Sequence, residues 1–497
     1  MDVIAGFVND TVDYLNNIFW EYVLIYGLLA VGLYFTIRLG FVQFVHFREM
    51  WRCVSGSSEA DKDGISPFQA LTVSLASRVG TGNIAGVAVA LTLGGPGAIF
   101  WMWMVALVGM ATAYSESTLA QLYKTHGPDG MYRGGPAAYI SRGLGQPWLA
   151  AIFSIALILS FGLIFNAVQA NSIAEAAAGP VEHLLLRYEL VGSTAAEGSM
   201  TSYEIAKAAI GIAVAILAGI VIFGGIPQIA RVAEFVVPIM AGLYLLAALV
   251  TMIMNIDRVP GILSGIVMSA FGLQETVGGV AGSVTAAMLN GIKRGLFSNE
   301  AGMGSAPNIA AVATPNPHHP SSQGFVQALG VFIDTLLVCT ATATMILLAD
   351  VIPSDELTGV SLTQAALGDH FGSFGQIFVG VAIFFFAFTS IIGNYSYAEN
   401  AVIHLGGGKL GIVILRATVL GMVVWGAIQA VQTVFNFADA SMGLMATINL
   451  IAILLLSGTV VALTRDYLAQ RRIGKEPTFR IGDHPEIAPG VNRDIWS

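Results

Sequence analysis

Apolar runs long enough to cross a bilayer recur along nearly the whole chain, and few folds can accommodate them. A segment in lipid must satisfy its own backbone hydrogen bonds, which leaves helices or a closed barrel. Runs of roughly 20 apolar residues select helices. Eleven spans are expected, near residues 22–37, 67–92, 97–121, 148–177, 204–223, 232–254, 273–292, 324–349, 374–403, 410–430 and 437–463. Charged residues are 11% of the chain, against roughly a quarter in a soluble domain, and the mean hydropathy is +0.74. The 57 glycines suit close helix packing in lipid. Cys53 and Cys339 lie too far apart in sequence to read as a disulfide framework. The N-terminus is acidic (Asp2, Asp10, Asp13), so no cleavable signal peptide is expected.

Orientation follows from Lys and Arg, which gather on cytoplasmic connections. One alternating set of connections carries Arg38, Arg48, Arg52, Lys62, Lys124, Arg133, Arg142, Arg231, Lys293, Arg294, Lys409 and Arg416, and the tail adds six more. That set holds 18 of the 22 basic residues. The other side has Arg187, Lys207 and Arg258, while Arg78 falls inside a span. An outside N-terminus and a cytoplasmic C-terminus are expected, in an inner (plasma) membrane.

The chain divides into an extra helix with an amphipathic linker (1–65), two five-helix units (66–258 and 259–463) and a cytoplasmic tail (464–497). In the first unit, Val79-Gly80-Thr81-Gly82-Asn83 interrupts an apolar helix near its middle. In the second, Val277-Gly278-Gly279-Val280-Ala281-Gly282 occupies the matching place. Glycine pairs are poor helix material, and irregular backbone survives at membrane depth only where it lines a protein cavity. Five is odd, so the two units would have inverted topology. Paired interruptions at corresponding positions point to a transport site between repeats. Gly80-Thr81-Gly82-Asn83-Ile84-Ala85-Gly86 lacks the preceding strand that a dinucleotide loop requires.

Three stretches carry a family resemblance: Gly80 to Ala88, Phe165-Asn166-Ala167-Val168-Gln169-Ala170-Asn171, and Arg294 to Pro307 (RGLFSNEAGMGSAP). Through them the sequence resembles the alanine or glycine:cation symporter family over about residues 20–465. The resemblance implies a LeuT-like five-plus-five inverted repeat behind one extra helix, an all-α polytopic membrane protein. It also implies sodium-coupled symport of small neutral amino acids. Phe435 stands where relatives often have Trp, a departure that bears on the extracellular gate or the size limit.

A zwitterionic substrate needs donors for its carboxylate and acceptors for its ammonium, and helix breaks offer both. Thr81, Gly82 and Asn83 are the expected carboxylate donors, and the carbonyls of Val277, Gly278 and Gly279 the ammonium acceptors. Asn166 and Gln169 share a helix face, and a buried amide needs a partner, which substrate or a neighbouring helix could supply. For sodium, the resemblance to LeuT-like ion sites implies Thr389 and Ser390 with carbonyls of Ala76, Val79 and Phe386. Ionisable residues at membrane depth are functional candidates: Glu116, Glu175, Asp334, Glu399 and Asp439, with Asp334 deepest and a possible partner of Arg78. The stretch Ser298–Pro307 is expected on the cytoplasmic side, shaping an inner gate.

An enzyme is disfavoured, because the eight histidines fall at or beyond span ends and no His-Glu-x-x-His or Gly-x-Ser-x-Gly motif occurs. A channel is disfavoured by the lack of a repeated filter loop. Proton coupling is the alternative to sodium. Neither nucleic acid nor an obligatory protein partner is expected.

Overall fold

The computed structural model describes residues 10–55, 61–188, 190–191, 200–273, 284–354, 356–485, 487 and 490–497. It is helical apart from a two-stranded hairpin, β1 (Thr125–His126) with β2 (Tyr132–Arg133). In chain order the helices used below are α1 (Asp10–Arg38), α2 (Phe47–Ser55), α3 (Pro67–Arg78), α4 (Gly82–Gly94), α5 (Gly97–Leu122), α6 (Pro147–Arg187), α7 (Ser202–Ile222), α8 (Gly225–Met254) and α9 (Val259–Ala270). The second half continues with α10 (Val284–Asn299), α11 (Pro307–Ala310), α12 (Pro320–Leu348), α13 (Gly359–Phe371), α14 (Ser373–His404), α15 (Gly408–Ile428), α16 (Val431–Leu455) and α17 (Ser457–Arg472). Nine of these are long and apolar enough to cross a bilayer among the described residues: α1, α5, α6, α7, α8, α12, α14, α15 and α16.

The pairs α3/α4 and α10/α11 are each an interrupted helix at the centre of the bundle. α3 begins with a capping box, in which Ser66 Oγ accepts from the Gln69 amide and Gln69 Oε1 accepts from the Ser66 amide, with Pro67 at the first helical position. Such a cap contributes about 1 kcal/mol. α3 starts at the end of the bundle where α5 finishes, here called the basic end after Lys124 and Arg142. α10 runs the other way. Gly291 packs against Ala98 at the start of α5, Gly295 against Met102, and Ala301 against Gly109 halfway along. The chain then reaches the basic end, where Gln121 Nε2 donates to the carbonyls of Ala310 and Ala313.

The expected sixth core span, 273–292, continues further along the chain than expected. Its helix is Val284–Asn299, and residues 274–283, which include Val277, Gly278 and Gly279, lie outside the described residues. Lys293 and Arg294 consequently belong to the half of the molecule away from the basic end, which removes two members from the basic set counted above. α9 lies beside α5 at that opposite end, where Gly97 N donates to Ser269 Oγ. Small residues allow the close crossings: a Cβ on Gly426 of α15 would overlap the Ala167 backbone of α6.

The tail does not trail free. Trp496, one residue from the C-terminus, is fully buried and donates its indole N–H to the Leu122 carbonyl at 3.2 Å. Phe479 is also buried, and its amide donates to the His318 carbonyl at 2.9 Å. The Ile481 amide donates to the Trp496 carbonyl at 2.9 Å, closing the segment on itself. Beside it His319 meets Asp466 at 3.2 Å. Burial holds that imidazole below its ordinary pKa, against the pull of Asp466. Truncating a buried Trp to Ala costs about 3 kcal/mol, so Trp496→Ala should undock the tail. Limited proteolysis of the folded protein should then cut within 473–497 in the variant while sparing the wild type. Equal resistance would contradict this packing.

Candidate substrate and ion site

The first break begins where α3 ends: Val79 leaves the helix with ψ 80°. Gly80 must be glycine, because a Cβ there would overlap Ser390 Oγ of α14 and stand 2.8 Å from Gln169 Oε1 of α6. Gln169 Oε1 accepts from the Thr81 amide at 3.0 Å and from Thr81 Oγ1 at 2.8 Å. Asn83 turns back on the break: its Oδ1 accepts from the Gly80 amide at 2.9 Å, and its Nδ2 donates to Asp334 Oδ1 at 2.7 Å. Gly82 faces α10, where a Cβ would lie 3.1 Å from Ser298 Cα.

The second break spans residues 300–306, between α10 and α11, and all of it is buried. Glu300 has φ 57°, a left-handed conformation rare outside glycine, and Gly302 and Gly304 are left-handed as well. The Glu300 carboxylate accepts from Ser77 Oγ at 2.9 Å and Ser305 Oγ at 2.6 Å. Glu116 of α5 accepts from the Gly302 amide at 3.2 Å and from Asn449 Nδ2 at 2.7 Å, and Asn449 also donates to the Gly302 carbonyl at 3.0 Å. This corrects the expectation that Ser298–Pro307 is a cytoplasmic stretch. Its Asn, Glu and four Gly/Ser positions read as a loop by hydropathy, yet side chains from α3, α5 and α16 satisfy its polar groups inside the bundle.

Of the oxygens expected to bind an ion, four converge. Ser390 Oγ lies 2.9 Å from the Ala76 carbonyl and 3.0 Å from the Phe386 carbonyl, and Thr389 Oγ1 lies 3.0 Å from the same Phe386 oxygen. Val79 is buried at the end of α3, but no described contact joins its carbonyl to the group. The set is oxygen-only and carries no formal charge, which fits a hard monovalent cation better than a transition metal.

The other candidates sort by their partners. Asn166 donates to the Gly162 carbonyl at 3.1 Å and accepts from Asn394 Nδ2 at 3.1 Å, while Asn394 Oδ1 lies 2.5 Å from Ser77 Oγ, sharing that hydroxyl's one proton with Glu300. That chain ties α6 to α14 and α3, so the Asn166 amide is already occupied between helices. Arg78 does not pair with Asp334: its Nη1 donates to the Gln327 carbonyl at 3.3 Å, and no ion pair forms at either residue among those described. Glu175 pairs with Lys207 at 2.5 Å.

Both ends are closed. Arg294 and Asp439 form a buried ion pair at 2.5 Å on the side away from the basic end. The Arg294 guanidinium covers the rings of Phe297 and Phe435, and Phe297 stacks on Phe165 at 4.8 Å. At the basic end Arg133 pairs with Glu399 at 3.0 Å, and the Ile65 amide donates to the Val312 carbonyl at 3.2 Å. Sequence reasoning missed the aromatic stack, although Phe165 and Phe297 sit inside the quoted motifs. A surface cleft of about 480 Å³ between α7 and α15, lined by Ile212, Ala215, Ile216, Gly219, Ile220, Phe223, Leu420 and Val424, is almost wholly apolar and includes no residue of either break.

Residues 5–481 match the family described as the sodium:alanine symporter family. The chain belongs to that family. It is 45% identical over 492 residues to the amino-acid carrier protein AlsT of Bacillus subtilis, covering 99% of this chain and 98% of that one. It is 44% identical over 465 residues to the probable sodium/glutamine symporter GlnT of the same organism, covering 93% and 91%. The crystal structure of MhsT in complex with L-phenylalanine aligns with a TM-score of 0.53 at 12% identity, covering 81% of this chain and 99% of that one. This last likeness establishes a LeuT-like fold alone. The symporter is a multi-pass membrane transporter and not an enzyme. In it, Gly80→Ala forces a methyl group into Ser390 and Gln169, an overpacking of about 1–3 kcal/mol. Amino-acid uptake per unit of membrane-inserted protein should fall about tenfold, whereas Gly179→Ala, which meets nothing within 4 Å, should leave it unchanged. Equal uptake by the two variants would contradict the close approach at Gly80.

Proposed function

We propose that the protein carries alanine or glycine into the cell together with sodium, by alternating access around the two helix breaks. The observation that carries this reading is their juxtaposition: α4 begins at Gly82 directly against the last turn of α10. A helix N-terminus is the positive end of its dipole and a C-terminus the negative end. The two together make a slot of opposite polarity suited to a zwitterion, with carboxylate toward Thr81 and Gly82 and ammonium toward the carbonyl end of α10. Asn83 and Asn166 act behind the slot, holding helices. Gln169 orients Thr81.

The neutral oxygens of Ala76, Phe386, Thr389 and Ser390 sit on α3 and α14, beside the same break, and we assign sodium to them with the Val79 carbonyl completing the set. The Phe165–Phe297 stack and Phe435 bound the space for a side chain and favour small substrates. The opposite directions of α3 and α10 support an inverted five-plus-five repeat behind α1. The nine long helices with the two interrupted ones make eleven spans. The basic residues that remain at one end support a cytoplasmic C-terminus in the inner membrane.

Thr389→Val keeps shape and deletes one oxygen. Losing a contact of about 1.4 kcal/mol weakens sodium binding roughly tenfold. Linkage then lowers alanine affinity at low sodium, with recovery at high sodium. The measurement is alanine binding against sodium concentration for wild type and Thr389→Val at two pH values, with glycine and glutamine as competitors. Superimposable sodium curves remove Thr389 from the site. Flat sodium curves with pH-driven binding favour a proton-coupled carrier, and stronger competition by glutamine than by glycine overturns the small-substrate assignment.

A further inference from the structure

One fully buried carboxylate touches both interrupted helices and pairs with no cation among the described residues. Asp334 lies on α12. Its Oδ1 accepts from Asn83 Nδ2 at 2.7 Å, and its Oδ2 accepts from Ser298 Oγ and from Thr335 Oγ1, each at 2.7 Å. Asn83 relays the contact, since its own Oδ1 receives the Gly80 amide at 2.9 Å. A second α12 residue, Thr342, donates its hydroxyl to the Asn83 carbonyl at 2.6 Å. One oxygen therefore holds the first break and the other holds the last turn of α10.

We propose that Asp334 is a positioning residue for transport: through Asn83 and Ser298 it sets the separation of the α4 N-terminus and the α10 C-terminus, and so the width of the substrate slot. This rests on the reading that the amino acid lies between the breaks. The chemistry explains why the residue is an acid. Three donors converge on two oxygens, and an ionised carboxylate accepts at both. Hydrogen bonds to an ionised acceptor are also roughly twice as strong as neutral ones. An amide must present its NH2 to one side. Facing Asn83 it would set donor against donor, so it turns its oxygen to Asn83 and leaves the two hydroxyls to reverse.

The geometry also defines an exchange that preserves the four side-chain bonds named above, giving up only the longer donations of Asn83 Nδ2 to the Asp334 carbonyl at 3.2 Å and Cys339 Sγ at 3.3 Å. In the double variant Asn83→Asp with Asp334→Asn, the new amide donates to the new carboxylate, which still receives the Gly80 amide. Ser298 and Thr335 donate to the remaining amide oxygen. Asn83→Asp alone opposes two carboxylates.

The test uses the full-length purified protein, with alanine binding at saturating sodium and, separately, radiolabelled sodium binding without amino acid. Asp334→Asn should weaken alanine about tenfold and Asn83→Asp more than that, while the exchanged double variant returns to within about threefold of wild type. Sodium binding alone should be unchanged throughout. If Asn83→Asp does not fold, Asp334→Asn and the double variant still decide the matter. A double variant no better than Asp334→Asn overturns the proposal, since Asn83 would then act on something other than Asp334. Loss of sodium binding in Asp334→Asn also overturns it, because the carboxylate would be an ion ligand. Failure of the wild type to bind any amino acid sinks the functional reading itself, a result distinct from either.

Discussion

Everything in this fold depends on satisfying backbone polar groups where no water can reach them. An unpaired amide or carbonyl in hydrocarbon costs several kcal/mol. Two helices nevertheless open at the centre of the bundle, at residues 79–81 and 300–306. They persist because neighbouring side chains complete what the helices leave undone. Gln169 takes the Thr81 amide, Asn83 takes that of Gly80, and Glu116 takes that of Gly302. The surrounding long helices exist, in this sense, to hold polar side chains at the right depth. Polar groups assembled this way are also what an amino acid and a cation can use.

The same arrangement explains where motion would have to occur. Each end carries a buried ion pair, Arg294 with Asp439 and Arg133 with Glu399, and Arg133 is shared with the more exposed Asp129. Separating a buried pair without new partners costs about 3–5 kcal/mol, a cost that falls on Arg294 and Asp439, whereas Arg133 would keep Asp129. Arg294 and Phe297 sit on α10, the half-helix that ends at the second break. Ile65 leads directly into α3, the half-helix that ends at the first. Arg294 at one end and the Ile65–Val312 contact at the other are thus each continuous with one half of one broken helix. A ligand bound at the breaks would move either seal only by as much as its affinity differs between the open and closed forms of that seal.

Much of this was legible in the sequence. The helical class and the first break were readable because apolar length and a Gly-Thr-Gly interruption have few other meanings in lipid. The oxygens proposed for the ion came only through family resemblance, since a Thr-Ser pair ordinarily bonds back to its own helix, and Thr389 and Ser390 do so here. The break at 300–306 was not legible. Hydropathy favoured the apolar glycines at 277–282, which lie outside the described residues, and the opened backbone among those described is the polar Glu300-Ala301-Gly302-Met303-Gly304-Ser305. A carboxylate and flanking amides look like a surface loop until the partners on α3, α5 and α16 are known, and those partners lie far away in sequence. Asp334 was chosen for its depth but given the wrong partner, because Arg78 offered a charge and Asn83 did not. The docked tail was missed for a related reason: Phe479 and Trp496 are isolated in a polar stretch, with no periodicity to announce burial.

The central claim is that both breaks face one ligand. A structure determined with alanine and sodium bound measures this most directly. The account predicts density for the amino acid between Thr81–Gly82 and the Ser298 end of α10, beneath Phe165 and Phe297, with the ion among Ala76, Phe386, Thr389 and Ser390. Amino-acid density elsewhere, with the Gly80–Asn83 and Ser298–Ser305 segments unchanged and unoccupied, would contradict it.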